Sequence, residues 1–315
     1  MMKFFNGIRL RQAEKLAEKG FRLLEDGEFD QALKIAEELK RQRFSAGFDI
    51  AAQAHAGKGD LAAAVQVLEK GVEAAPSAWL NWQLLGNYRS DLGLFKEAGL
   101  AYERALECPD ASRSSIRLNQ AILANRTGDH PAALRLADEV DDPELMLWAT
   151  SVRIGALTEM GEGQEVERLG LRTLSEAGEN ADPGRLCSIV ADVARVRLRR
   201  GDPRQDIRAF IHQWLEREPG NPDLLAILRD LDGLTSETAQ YYRLLLRGRA
   251  SEGGGFYCHW HVVADSPEEA LGFVRALDAP PADLSVEEWE IVEARPNEPK
   301  GVYWRSGRVY YEEET

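Results

Sequence analysis

Seven glycines set the frame of this chain. Gly27, Gly59, Gly93, Gly128, Gly161, Gly201 and Gly233 follow one another at intervals of 32, 34, 35, 33, 40 and 32 residues. Each lies between two stretches whose apolar residues recur at helical spacing. A glycine there ends one helix in a left-handed cap before the next helix begins. A fixed period of this length is the mark of a repeat architecture, in which each unit buries its apolar face only against its neighbours. Five residues after the first four glycines stands a small residue: Ala32, Ala64, Ala98 and Ala133. Antiparallel helices approach closely at a crossing only where the side chains are small.

The third unit is the clearest. It carries Trp82, Leu85-Gly86, Tyr88, Gly93-Leu-Phe95, Ala98, Tyr102, Ala105-Leu106 and Pro109. This set resembles the tetratricopeptide-repeat (TPR) motif, with Tyr88 and Pro109 each one place early. The second unit supplies Pro76, and the first Gly20, Leu23, Phe29, Ala32 and Ala36. The resemblance covers about residues 12–232 and weakens along the chain. In the fifth unit Val166 takes the small position and Gly170 the aromatic one, and Glu176–Pro183 lengthen the loop that follows. The sixth unit, Cys187–Glu218, keeps the helix pair and little of the motif, and Pro222–Leu231 reads as a closing helix. The resemblance implies a mostly α chain, a TPR-type right-handed superhelical solenoid of helix hairpins over residues 1–239. About six repeats and a capping helix make it up.

After Gln240 the period changes from 3.6 to 2. Tyr242, Leu244 and Leu246 alternate with Arg243, Leu245 and Arg247, which reads as a strand, although the segment also suits the second helix of a seventh repeat. Phe256, Cys258, Trp260 and Val262 alternate with Tyr257, His259, His261 and Val263 as a second strand. Ser266, Pro267 and Glu269 open a helix with apolar Ala270, Leu271, Phe273, Val274 and Leu277. Trp289–Glu293 is a third strand, and Gly301–Trp304 with Val309–Tyr311 flank Ser306-Gly307 as a hairpin. Residues 240–315 are expected to form a small α+β domain. A ferredoxin-like order of elements is one arrangement of these pieces, and no motif fixes a family.

Chemistry finds little foothold. Gly253–Gly255 lacks the Lys-Ser/Thr of a phosphate-binding loop and reads as a hairpin connection. His259 and His261 point to one face of their strand and are close enough to share a metal, with Asp265 a conceivable third ligand. Exposed or half-buried histidines are the plainer reading. Cys108, Cys187 and Cys258 are odd in number and scattered, and Cys187 and Cys258 read as packing residues. No G-x-S-x-G occurs, and the tail Glu312–Glu314 reads as a solvated terminus. No enzyme activity and no cofactor is expected.

Charge narrows the partners. With 53 acidic against 39 basic residues, the net charge of −14 repels phosphate backbones and anionic membranes. Met1–Leu10 is too short in apolar length for a secretory signal, and no run approaches the ~20 apolar residues of a membrane span. A cytoplasmic compartment is the default expectation. Arg195, Arg197, Arg199, Arg200, Arg204 and Arg208 form the one basic concentration, suited to an acidic partner segment or to pairing with nearby carboxylates.

In TPR proteins the first helix of each pair lines a concave surface, and the second, fifth, ninth and twelfth positions of a unit meet the ligand. By that resemblance the stripe here comprises Gln53, then Leu80, Gln83, Asn87 and Ser90, then Ser115, Leu118, Ile122 and Asn125, then Trp148 and Ser151, and finally Arg195. Some TPR proteins clamp a terminal carboxylate with Lys, Asn, Asn, Lys and Arg. Asn87 and Asn119 match the two Asn places, while Gln83, Trp148 and Val152 stand at the cationic ones, so that clamp is not expected. What remains is an amide pair able to bond a ligand backbone, beside Trp148 as an aromatic anchor, or else ordinary exposed amides. The expected function is a scaffold that binds a peptide or helix of a partner protein. A self-associating structural protein and a metal- or ligand-binding C-terminal module are the alternatives, and a homo-oligomer is possible.

Overall fold

A computed structural model of the protein describes residues 2–249, 255–277 and 284–311. Helices α1 (Met2–Glu25) and α2 (Phe29–Arg41) form the first pair, α3 (Ala46–Gly57) and α4 (Leu61–Ala74) the second, and α5 (Trp79–Asp91) and α6 (Phe95–Glu107) the third. Then follow α7 (Arg113–Arg126) with α8 (His130–Asp138), α9 (Met146–Glu159) with α10 (Gly163–Glu176), and α11 (Pro183–Arg200) with α12 (Arg204–Leu215). Helix α13 (Pro222–Asp232) is single. Strand β1 (Gln240–Arg249), β2 (Gly255–Ala264), helix α14 (Pro267–Leu277), β3 (Ser285–Ala294), β4 (Gly301–Arg305) and β5 (Val309–Tyr311) complete the chain.

All seven repeat glycines have positive φ, between 61° and 85°. At Gly59, Gly93 and Gly128 a side chain would meet nothing within 4 Å, so backbone conformation and not space demands glycine there. The residue after the glycine closes the turn. Asp60 N–H donates to His55 O at 2.9 Å, Leu94 to Arg89 O at 2.8 Å and Asp129 to Ala124 O at 2.9 Å, the Schellman bond. Asp60 and Asp129 then cap the next helix, their Oδ1 accepting from Ala63 N at 2.9 Å and Ala132 N at 3.1 Å. One Gly-Asp dipeptide thus ends a helix and starts its partner.

By packing, the chain divides into residues 1–156 and 157–315, the division falling within α9. In the first unit Ala32, Ala64, Ala98 and Ala133 are fully buried at the helix crossings. Leu39, Ile50, Leu68, Leu85, Ile116 and Ile154 are fully buried too, each contributing roughly 1.5–3 kcal/mol of burial. Gly86 lies under Tyr102, whose ring would stand 2.4 Å from a Cβ at that position.

In the second unit one continuous core joins α11–α13 to the sheet. It runs from Cys187, Val190, Ile207, Ile211, Leu224 and Leu228 to Leu244, Leu246, Phe256, Trp260, Val274 and Val302. The change of period at Gln240 is therefore a change of secondary structure inside one core. Gly170 explains the lost aromatic of the fifth unit: a Cβ there would lie 2.5 Å from Val193 of α11, so the two helices touch where a ring would stand.

The sheet is antiparallel in the order β3-β1-β2-β4, and β5 also pairs with β2. Gln240–Arg249 is a strand and not a helix. The element order, β-β-α-β-β-β, departs from the ferredoxin-like β-α-β-β-α-β. The hairpin expected at Ser306-Gly307 is absent. Neither residue has positive φ, which a two-residue hairpin turn needs, and β4 and β5 run in succession along β2. Ser306 holds that path: its Oγ accepts from His259 N at 2.9 Å and its N–H donates to His259 O at 2.9 Å. The helix start at Ser266 stands as read, with Ser266 Oγ accepting from Glu269 N at 3.2 Å. Gly253, Gly254 and the Glu312–Glu314 tail lie outside the described residues.

Candidate functional site

Helix periodicity places the stripe. On α3, Ile50, Ala51 and Ala54 pack into the α1–α2 cluster and Ala52 and Ala56 into the next one. Asp49 and Gln53, one turn apart, hold the face that remains. On α5, Leu84, Leu85 and Tyr88 join one cluster, Trp79 the other and Trp82 both, which leaves Leu80, Gln83, Asn87 and Ser90 on the third face. On α7, Ser115, Leu118, Ile122 and Asn125 follow the same spacing, with Leu118 and Ile122 packed against the cluster that Trp148 of α9 also joins.

The side chains on this face differ in how much they have left to offer. Gln83 and Ser90 are buried. Gln83 Nε2 donates to Ser115 Oγ at 2.9 Å, tying α5 to α7, and Ser90 Oγ accepts from Arg126 at 3.0 Å. Asn125 spends its amide on the scaffold, donating to Val152 O at 2.9 Å, with His130 Nδ1 3.2 Å from its Oδ1. Asn87 is half-buried, and its Oδ1 accepts from the Tyr102 hydroxyl at 2.8 Å, so only its NH2 faces onward. Gln53 and Asn119 are half-buried, and their side chains make no hydrogen bond among the described residues. Ser151 is buried, and Leu80, Ile122 and Trp148 are half-buried. Across α3, α5, α7 and α9 the face runs from polar to apolar.

Asp49 was not read from the sequence. It precedes Gln83 by 34 residues, the interval between Gly59 and Gly93, so positional equivalence alone would have found it. It is 4% exposed, and burial pushes its carboxyl up to about 7. Its Oδ1 has no hydrogen-bond partner among the described residues, nor has Gln83 Oε1, nor either polar atom of the fully buried Asn81.

In the second unit the basic concentration is spent in pairs. Arg197 and Arg200 converge on Glu167 at 2.8 and 2.6 Å, and Arg200 also reaches Asp202 at 2.5 Å. Arg195 pairs with Asp192 at 3.1 Å, Arg208 with Asp232, and Arg199 and Arg204 donate to the carbonyls of Thr158 and Leu231. Burial raises Asp192 to about 6 against the pull of Arg195. Arg195 is therefore a half-buried, paired side chain of α11.

His261 Nδ1 lies 2.9 Å from the Tyr241 hydroxyl and its ring packs on Trp304, with burial and then Arg243 and His259 lowering its basicity. Asp265 is engaged elsewhere: it accepts from Lys300 at 2.9 Å and Thr238 at 2.8 Å, and bonds from Ser236, Lys300 and Thr238 hold it down at about 2. No group of three or more His, Cys, Asp or Glu is placed to hold a metal ion among the described residues. Cys258 is buried and accepts from Trp260 Nε1 at 2.9 Å. No helix among the described residues is long and apolar enough to cross a membrane.

The fold is that of TPR proteins. The chain is similar to the solved structure of a TPR protein from Parabacteroides merdae, at 14% identity and a TM-score of 0.56 over 70% of this chain and 86% of that one. It is similar to PilW, a type IV pilus biogenesis factor, at 13% identity and a TM-score of 0.58 over 69% of this chain and 98% of that one. It is also similar to a Rap protein complexed with competence and sporulation factor, at 11% identity and a TM-score of 0.50 over 70% of each chain. No protein-family model and no curated protein sequence matches the chain.

Proposed function

We propose that this protein is a non-catalytic adaptor that binds a peptide or helical segment of a partner protein on the inner-helix face of residues 1–156. One observation carries the reading. On two successive first helices the third face keeps a half-buried amide with bonding capacity left over, Gln53 on α3 and the Asn87 NH2 on α5, each six residues before its turn glycine, and α7 adds the half-buried amide of Asn119 three residues before that position. Half-buried amides on successive first helices suit a ligand backbone, whose N–H and C=O groups recur along a chain. Leu80, Ile122 and Trp148 beside them supply apolar contact, and half-buried aromatics are the usual energetic centre of such surfaces. The Rap protein, a similar fold, was solved with a bound factor. The test is cross-linked affinity capture from native lysate, comparing wild type with Asn87→Ala/Asn119→Ala. A partner held by the wild type and lost from the double variant supports the reading, and equal capture by both contradicts it.

Self-association is a second reading, favoured by β3. This edge strand exposes Trp289, Ile291 and Val292. A light-scattering mass that falls to the monomer value on Trp289→Ser would support it, and a monomeric wild type would dismiss it.

A further inference from the structure

Between the C-terminal end of α12, the end of α14 and the β4–β5 segment lies an open cavity of about 400 Å³, wholly within the second unit. Local constraints on both sides shape it. Ser306, bonded to His259 through its N–H and its Oγ, keeps the chain on β2 as Gly307 and Arg308 pass from β4 to β5. Opposite, the loop between α12 and α13 touches the end of β4: a Cβ at Gly220 would lie 2.7 Å from Arg305 O. The floor is apolar. Leu215 and Leu277 belong to the edge of the core shared by sheet and helices, and Pro219 lines the cavity with them. Exposed Glu216, Gly307 and Tyr310 mark the mouth.

The walls are cationic, in a chain whose net charge is −14. Arg305 and Arg308 both line the cavity and are half-buried. Each guanidinium lies over a buried ring of β2, Arg305 over Trp260 at 5.1 Å from the centroid and Arg308 over Phe256 at 4.4 Å. A ring holds a guanidinium by its flat face, whereas an oxyanion takes it by its N–H edge, so the two kinds of contact are compatible. His212 of α12, half-buried, is the third polar group inside. Burial and then Arg208 lower its basicity, against Glu216, so at pH 7 it meets a ligand as a neutral imidazole. Glu216 is the one carboxylate on the lining among the described residues. A second hollow of about 40 Å³ shares His212 and Leu277, but it has room for little more than a water or two, and its cations are engaged. There Arg208 pairs with Asp232, and Arg229 donates to Val302 O at 2.6 Å.

We propose that the larger cavity binds a small organic anion, a phosphate or carboxylate group carried on an apolar body. The oxyanion meets Arg305 and Arg308, and the body lies on Leu215, Pro219 and Leu277. The volume falls within the roughly 300–1,000 Å³ of small-molecule sites, and an apolar lining with a few placed polar groups is their usual chemistry. Charge selects the head group, since guanidinium forks match the oxygens of phosphate and carboxylate. The site lies in the second unit and does not depend on the inner-face reading.

The test follows the His212 ring by proton NMR on the full chain, the resonance being assigned by its loss in His212→Gln. Titration with 2-naphthyl phosphate, 2-naphthoate and 2-naphthol keeps the body constant and changes the head group. At least one anion moves the resonance saturably and binds roughly tenfold or more tightly than naphthol, as one charge-assisted hydrogen bond predicts. The tighter anion names the head group. Arg305→Gln and Arg308→Gln, checked for folding by circular dichroism, each weaken that anion by roughly tenfold and leave naphthol unchanged. Arg308→Lys keeps the charge, loses the fork and weakens it less. Naphthol bound as tightly as both anions overturns the proposal, as does anion binding that survives both glutamine substitutions. A His212 resonance unmoved by all three compounds overturns it as well.

Discussion

The Tyr102 hydroxyl donates to Asn87 Oδ1 at 2.8 Å, so the aromatic that fills the α5–α6 crossing also fixes the amide on the neighbouring face. Asn87 is thereby oriented as a donor before any ligand arrives. Tyr102→Phe keeps the ring and removes the bond. It should cost about 0.5–1.5 kcal/mol in stability by urea denaturation. Partner affinity should fall by several-fold as the amide turns freely.

Two glycines of the third unit test different physics. Gly93 has φ +78° and open space around it, so Gly93→Ala should cost only the left-handed conformation, about 1–2 kcal/mol. Gly86 has no such φ, but its Cβ would stand 2.4 Å from the Tyr102 ring. Gly86→Ala should cost about 1–3 kcal/mol through overpacking. A double-mutant cycle separates them: Tyr102→Ala should rescue Gly86→Ala and leave the cost of Gly93→Ala unchanged.

Asp49 makes stability fall with rising pH. Its carboxyl ionises near 3.8 when unfolded and near 7 when folded, so between those values the folded state holds the extra proton. The ionised form is disfavoured by roughly 4 kcal/mol, present in full above pH 7 and absent below about pH 4. Asp49→Asn should therefore be more stable than wild type at pH 8, with the difference vanishing by pH 4 in paired urea titrations.

Lys300 bonds Asp265 at 2.9 Å and Glu269 at 2.6 Å, joining β4 to the start of α14. Asp265 is held at about 2, below its unfolded value of 3.8, so its contribution is full above pH 4 and lost as pH falls towards 2. Lys300→Met should lower the melting temperature at pH 7 and flatten the acid side of the melting profile.

The repeat turns were legible because positive φ is nearly a glycine property, so a residue type reported a backbone conformation directly. The Gly-Asp dipeptides at Gly59 and Gly128 carried both a helix end and a cap in two letters. The stripe was legible only as a register. Sequence spacing put Gln83, Ser90 and Asn125 on the inner face, but not that Ser115, Arg126 and Val152 would occupy their polar groups. Asp49 shares the register and went unread because burial, which makes it unusual, is a property of packing. Ser306-Gly307 carried a local turn signal that the tertiary bond to His259 overrode. That the sheet and α11–α13 share one core was beyond periodicity, which says which face is apolar and not what covers it.

The central claim is that partners bind the inner-helix face, and site-specific photo-cross-linking tests it most directly. A photoreactive residue at position 53 or 119 should trap the partner protein. The same probe at Leu100, 62% exposed on α6, or at Trp304 on the sheet should trap nothing. Cross-links from Leu100 or Trp304, with none from positions 53 and 119, would contradict the account.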